Sequence, residues 1–359
     1  MGARLAAERA MADRSLRARP EDVLAAVLVY VPHLRGYFLN RLGVLDLCLK
    51  SLLRTKPKET PLLVFDNGCC EEVRAYLAEL EAGGQIDYLV RSRMNLGTLA
   101  AIRMIVLMSP RPLLAYCDDD VFFGPGWLEA QLSLMAAFPE AGVVSGAPTL
   151  DGALHAIGST LRLASEPTAG IRLEQSHMPE EWEVDWALST GRDPDERRRF
   201  ARETPVPTVG RGEARAFAGA THFQFVGRVE ALAAGLPREW PSSLMGGLKD
   251  LDAGVDAAGY LRISTAERFC RHIGNAVTSS MRHEAEALGY EVASPAPSPR
   301  RTALNRHAAE NLNLRGKLWT LYMRLGLLLD GEEIRQAPPA GPAAPVSDAH
   351  RPAEEMRPG

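Results

Sequence analysis

Long apolar runs are missing from this chain of 359 residues. None approaches the ~20 continuous apolar residues that span a bilayer, so the sequence reads as soluble and cytoplasmic. Cysteine is scarce. The five thiols (Cys48, Cys69, Cys70, Cys117 and Cys270) are odd in number and scattered, which argues against a disulfide framework or a zinc site and fits a reducing compartment. An excess of charge is missing too: 41 basic residues against 45 acidic ones give a formal charge of −4. Without a basic stripe to neutralise phosphates, nucleic acid is not an expected partner. Residues 1–20 are Ala/Arg-rich, carry Glu8 and Asp13, and lack the apolar block of a signal peptide. They read as an arm outside the core.

What is present is ample core material. Hydrophobic residues make up 46% of the chain, enough for one large α/β domain or two smaller ones. Residues 23–31 are β-branched and apolar and end at Pro32-His33, as a central strand does. Leu42, Leu45, Leu49 and Leu52 recur at helical spacing until Lys56-Pro57-Lys58 stops them. A strand at 62–65 ending in Asp66-Asn67-Gly68, a helix at 71–82 and a strand at 86–90 follow. This βαβα rhythm predicts a parallel, doubly wound, Rossmann-like sheet flanked by helices. In such sheets ligands collect beyond the carboxyl ends of the strands.

Asn95-Leu96-Gly97 opens the next predicted helix, 98–108, with Asn95 as its N-cap. That helix leads into Leu113-Leu114-Ala115-Tyr116-Cys117, a short buried strand that delivers Asp118-Asp119-Asp120 into a turn containing Gly124-Pro125-Gly126. If the strand continues, Asp118 and Asp120 share one side and Asp119 points away. Two readings are open. Crowded carboxylates suit a hard divalent cation such as Mg²⁺ or Mn²⁺. Alternatively they form a solvated acidic turn ahead of a helix at 127–138.

Beyond the strand at 143–145 the pattern weakens. Trp182 and Trp186 share a face if helical, as core side chains or as the lining of an acceptor site. Residues 192–202 mix charges evenly and read as a solvated helix or loop. Regular structure returns within 216–226 as a strand with a preceding small-residue turn, then as a helix at 253–259 and a strand at 260–264. Asp250 and Asp252 precede that helix, where Asp250 could serve as an N-cap, and His272 follows the last strand. Residues 303–329 carry an amphipathic leucine pattern, for packing or for peripheral membrane contact, and the Pro/Ala-rich tail from 331 is expected to be disordered.

Taken together, Asp66-Asn67-Gly68, Asn95-Leu96-Gly97 and Asp118-Asp119-Asp120 followed by Pro125-Gly126-Trp127 resemble the family 2 glycosyltransferases, whose fold is GT-A. The resemblance covers roughly residues 23–275. It implies a single GT-A-like α/β domain at 21–280, with a nucleotide-sugar half at 21–145 and an acceptor half at 146–280. A helical extension at 281–330 and a tail at 331–359 would follow. It implies transfer of a sugar from a UDP-, GDP- or dTDP-sugar to the hydroxyl of a glycan, lipid-linked or small-molecule acceptor, dependent on Mn²⁺ or Mg²⁺ and inverting, at or near the inner membrane face. Asp66, Asn67, Asn95, Gly97, Asp118 and Asp119 would form the donor-binding group, with Asp119 the member that tolerates replacement. Asp118, Asp120 and His272 would serve the metal. Asp250 would be the general base and Asp252 its competitor, because Lys249 stands where the family has Glu. A non-catalytic sugar-nucleotide or glycan-binding module and a metal-dependent nucleotidyltransferase are the alternatives.

Overall fold

The computed structural model describes residues 18–237 and 247–290. The chain divides into Met1–Pro297 and Ser298–Gly359, and everything described lies in the first part. The N-terminal arm up to residue 17, the leucine-patterned stretch 303–329 and the tail lie outside the described residues, as does Gly246. No described helix is long and apolar enough to cross a membrane.

The first half is built as its periodicity predicts. Strands β1 (Val23–Val29), β2 (Leu62–Asn67), β3 (Tyr88–Ser92) and β4 (Leu113–Asp118) alternate with helices Arg41–Thr55, Glu71–Ala82 and Thr98–Met108. These strands pair in parallel in the order β3-β2-β1-β4. Every residue of β1 is buried. Val23, Ala25, Val27 and Val29 pack into one core layer and Leu24, Ala26 and Leu28 into the other, as expected of a strand covered on both faces.

A short strand β5 (Val121–Phe123) follows β4, and helix Trp127–Ala137 leads to β6 (Ala141–Ser145). The segment that gave no pattern in the sequence is ordered. Helices Leu150–Ala153, Gly158–Ala164, Glu180–Thr190 and Pro194–Glu203 accompany β7 (Arg172–Ser176) and β8 (Val206–Arg211). The remaining strands are β9 (Ala214–Ala218), β10 (Gln224–Arg228), β11 (Leu261–Thr265) and β12 (Cys270–His272), with helices Val229–Gly235, Leu248–Ala257 and Ser279–Ala287. The central sheet has ten strands in the order β3-β2-β1-β4-β10-β6-β11-β9-β8-β7. Strand β10 runs antiparallel between β4 and β6, and β7 to β9 form an antiparallel edge. The fold is α/β, with a parallel, helix-flanked first half as expected.

Two expectations are refined. The small-residue turn expected within 216–226 is there, but a strand precedes it as well as follows it: β9 and β10 end up apart in the sheet, separated by β6 and β11. Gly219 makes the break, with φ +96 and a backbone so close to Gly152 that a Cβ there would lie 2.2 Å from its carbonyl oxygen. The helix expected at 253–259 starts earlier, at Leu248, so Asp250 and Asp252 are inside it.

Gly219→Ala is therefore expected to destabilise the protein by at least ~2 kcal/mol through backbone strain and overlap. Urea unfolding reads this directly, and an unchanged midpoint would refute the account of the break.

Candidate functional site

The triplet is positioned by the pairing at the end of β4. The Asp118 N–H donates to the Phe223 carbonyl at 2.9 Å, and β4 stops there. Asp119 and Asp120 form the turn into β5, so side chains do not alternate through the triplet. Asp120 remains the carboxylate that acts most strongly on Asp118, but Asp119 does not point away from Asp120. Instead Arg41, at the start of helix Arg41–Thr55, pairs with Asp119 through Nη2 and with Asp120 Oδ2 through Nη1 at 2.8 Å. Asp119 Oδ2 also accepts the Tyr30 N–H at 3.1 Å. Asp119 is thus held by a buried ion pair as Asp120 is, which removes the reason to expect it to tolerate change.

His272 reaches the triplet through a second small sheet. Strand β12 pairs antiparallel with β5, and His272 sits opposite Val121. Its Nε2 lies 3.2 Å from Asp120 Oδ2, and its Nδ1 lies 2.9 Å from Ser189 Oγ. Trp186 and Phe223 stack at 5.2 Å, each meeting the imidazole edge-on. Trp186 and Trp182 therefore line a small cavity beside His272, together with Asp185 and Arg268.

The three carboxyls titrate differently. Asp118 is raised to about 7, first by burial and then by the negative charge of Asp120. The Tyr116 hydroxyl, donating to Asp118 Oδ1 at 2.6 Å, offsets only part of this. Burial also pushes Asp120 up, but His272 and Arg41 overcome it and hold that carboxyl well below the usual range. Burial and Asp120 raise Asp119 against the pull of Arg41. Burial disfavours charge on His272, yet Asp120 prevails and its pKa is raised.

The donor-side loops are braced internally. Asp66 is fully buried; its Oδ1 accepts the N–H groups of Gly68 and Cys69 at 3.1 and 2.7 Å, and its Oδ2 lies 3.4 Å from Arg74 Nε. Asp66 closes the turn after β2. Asn67 Nδ2 donates to Asn95 Oδ1 at 3.0 Å, while Asn67 Oδ1 accepts the Leu96 N–H at 2.9 Å. Asn95 Oδ1 also accepts the Gly97 N–H at 2.8 Å. The N-cap of helix Thr98–Met108 is Gly97, at φ +82, so Asn95 is a strut ahead of the helix and not its cap.

Asp250 is exposed in the first turn of helix Leu248–Ala257. Asp252 is buried, with Oδ1 2.6 Å from Arg262 Nη2 and Oδ2 3.2 Å from His222 Nδ1. Sequence reasoning overlooked Arg41, Tyr116, His222 and Arg262. Only His222 left a signal there, as a lone imidazole within an apolar run.

Residues 37–182 match the family model described as glycosyl transferase family 2. This stretch is a family 2 glycosyltransferase domain. The matched residues contain Arg41, Asp66, Asn95 and the triplet, whereas His222, Asp250, Asp252 and His272 lie beyond them. A search of curated proteins finds no match. Among solved structures, the mannosyltransferase PcManGT from Pyrobaculum calidifontis, in complex with GDP-Man and Mn²⁺, shares 14% identity at TM-score 0.42 over 81% of this chain and 73% of its own. S. aureus TarS 1-349 shares 11% identity at TM-score 0.39, over 70% of this chain and 60% of its own. GalNAc-T7 with UDP, GalNAc and Mn²⁺ shares 14% identity at TM-score 0.40, over 70% and 43%.

Two outcomes follow for the triplet of the family 2 domain. Asp119→Asn leaves Arg41 half-paired in a buried site, a change expected to cost roughly 2–3 kcal/mol because Asp120 is retained; denaturant unfolding measures it. Asp118 binds its proton more tightly when folded, so its contribution makes stability fall as pH rises from its ordinary 3.8 to about 7. In metal-free protein Asp118→Asn should flatten that decline, and an unaltered slope would disprove the assignment.

Proposed function

We propose that the chain transfers a sugar from a nucleoside-diphosphate sugar to an acceptor hydroxyl, with a divalent metal bound at the triplet. The observation that carries this reading is the place of Asp118-Asp119-Asp120, at the carboxyl end of β4 and within the family 2 match. That edge of a parallel sheet is where nucleotides dock in folds of this kind. At the same edge, the braced turns after β2 and before helix Thr98–Met108 would offer backbone groups to the donor.

Among the described residues no three His, Cys, Asp or Glu side chains are grouped as a metal cage. The residues still fit a metal of the Mg²⁺ or Mn²⁺ class, which is commonly held by one or two carboxylates with substrate phosphates completing the shell. Asp118 carries the mark of such a site: a partly buried carboxyl, raised to about 7, that faces a charged neighbour without a cation of its own. Asp118 and Asp120 would hold the ion, with His272 at their side. When bound, the metal would neutralise charge developing on the departing diphosphate.

The chain's own groups prepare that event. Arg41 keeps Asp119 and Asp120 ionised and fixed. Tyr116 orients Asp118. Trp182 and Trp186 line the cavity beside His272, where an acceptor, whether glycan, lipid-linked or small, would approach. Direct displacement by the acceptor hydroxyl would invert the anomeric carbon.

Incubation with UDP-, GDP- and dTDP-sugars, Mn²⁺ and methyl glycosides is expected to release nucleoside diphosphate and to yield a glycoside of inverted configuration. EDTA should abolish turnover, and Asp120→Asn should reduce it at least ~100-fold by removing charge stabilisation. Pyrophosphate formed from sugar phosphate and nucleoside triphosphate would instead mark a nucleotidyltransferase. Donor binding without turnover would mark a binding module.

A further inference from the structure

His222 stands in the bend between β9 and β10, directly before Phe223, whose carbonyl pairs with Asp118. It is therefore at the same sheet edge as the triplet, near enough for its charge to act on Asp118. Its Nδ1 lies 3.2 Å from Asp252 Oδ2. Among the described residues the ring makes no other hydrogen bond.

The carboxylate behind it is firmly held. Asp252 is 5% exposed, and Arg262, 2.6 Å from its Oδ1, has no exposure at all. Arg262 also donates to the carbonyls of His155 at 2.9 Å and Ala220 at 2.6 Å. One guanidinium thus fixes Asp252 and the loops carrying both histidines. His155 Nε2 lies 3.8 Å from the same Asp252 Oδ2. A carboxylate this occupied is poorly available to take a proton from an acceptor. The His222 side chain, 37% exposed, is available. With Nδ1 donating to Asp252, Nε2 carries the lone pair, and an imidazolium formed there is stabilised by the carboxylate.

We propose that His222, oriented by Asp252, is the general base of the transfer. This rests on the glycosyl-transfer reading. The acceptor oxygen forms its bond to the anomeric carbon, and the bond from that carbon to the diphosphate oxygen breaks, its electron pair leaving on the nucleoside diphosphate. The hydroxyl proton passes to Nε2 of His222. Asp252 is the positioning residue, and Arg262 holds it.

The test uses the full chain with UDP-, GDP- and dTDP-sugars, Mn²⁺ and methyl glycosides, with folding checked by thermal melting and donor binding by calorimetry. His222→Ala and Asp252→Asn are each expected to lose at least ~100-fold in turnover while donor binding is unchanged. Added imidazole should restore part of the His222→Ala activity, a rescue that a structural role does not allow. Turnover within a few-fold of wild type in His222→Ala, with loss in Asp250→Asn instead, would overturn the assignment in favour of Asp250. Loss of donor binding in His222→Ala without imidazole rescue would assign His222 a structural role and also overturn it. A wild-type protein that turns over no donor defeats the transfer reading itself, and the base falls with it; transfer that survives the His222 change defeats only the base.

Discussion

Three consecutive carboxylates can share a buried turn only if something supplies positive charge, and here Arg41 does so. Like charges a few ångströms apart repel strongly in a low dielectric, and each loses hydration on burial. Arg41 meets two of the three. It also donates to the Gly274 carbonyl at 3.3 Å, so one guanidinium joins the start of helix Arg41–Thr55, the β4–β5 turn and the chain leaving β12. The Ile273 N–H completes that junction by donating to the Asp120 carbonyl at 2.7 Å. The position of His272 depends on it.

This arrangement divides the triplet by charge. Asp119 is structural, Asp120 is a fixed anion between Arg41 and His272, and Asp118 is left with a neutral hydroxyl partner. Environments that drive neighbouring carboxyls apart in pKa are a common sign of a working site. Near neutral pH Asp118 sits close to its midpoint of about 7 while Asp120 stays ionised. Asp118 is therefore the member of the triplet whose charge changes most readily near neutral pH.

How much of this was legible in the sequence follows from what each signal encodes. Strands β1, β2 and β4 were readable because burial on both faces imposes continuous apolar runs, and their helices because one face must be apolar. The acidic triplet, the Asn95 loop and His272 were readable as residue types at strand ends. The segment 150–219 was not, for physical reasons: β7 is exposed along its whole length, so no alternation marks it, and helix Pro194–Glu203 is charged on most of its surface. At Gly219 the small-residue turn was readable, but the strand β9 before it was not, because it is short and rich in alanine. Arg41 was beyond reach, since Asp119 lies 78 residues away; Arg262 is close in sequence to Asp252, but the His155 carbonyl it also holds lies 107 residues away. Only the topology of the sheet brings such groups together.

The same topology bears on the proposed base. Strand β10 enters beside β4 in the antiparallel sense, which brings the bend before it, with His222, to the carboxyl end of β4. A parallel strand in that place would put its amino end at the opposite edge. Helix Leu248–Ala257 packs so that Asp252 turns inward to Arg262 while Asp250 stays exposed. A buried ion pair of this kind contributes little net stability, because desolvation offsets its attraction. Its effect is to fix direction: with one oxygen committed to Arg262, the other faces both His222 and His155. If His222 is the base as proposed, Lys249 in place of a glutamate is no defect, because proton acceptance then falls to an imidazole oriented by Asp252 of that helix.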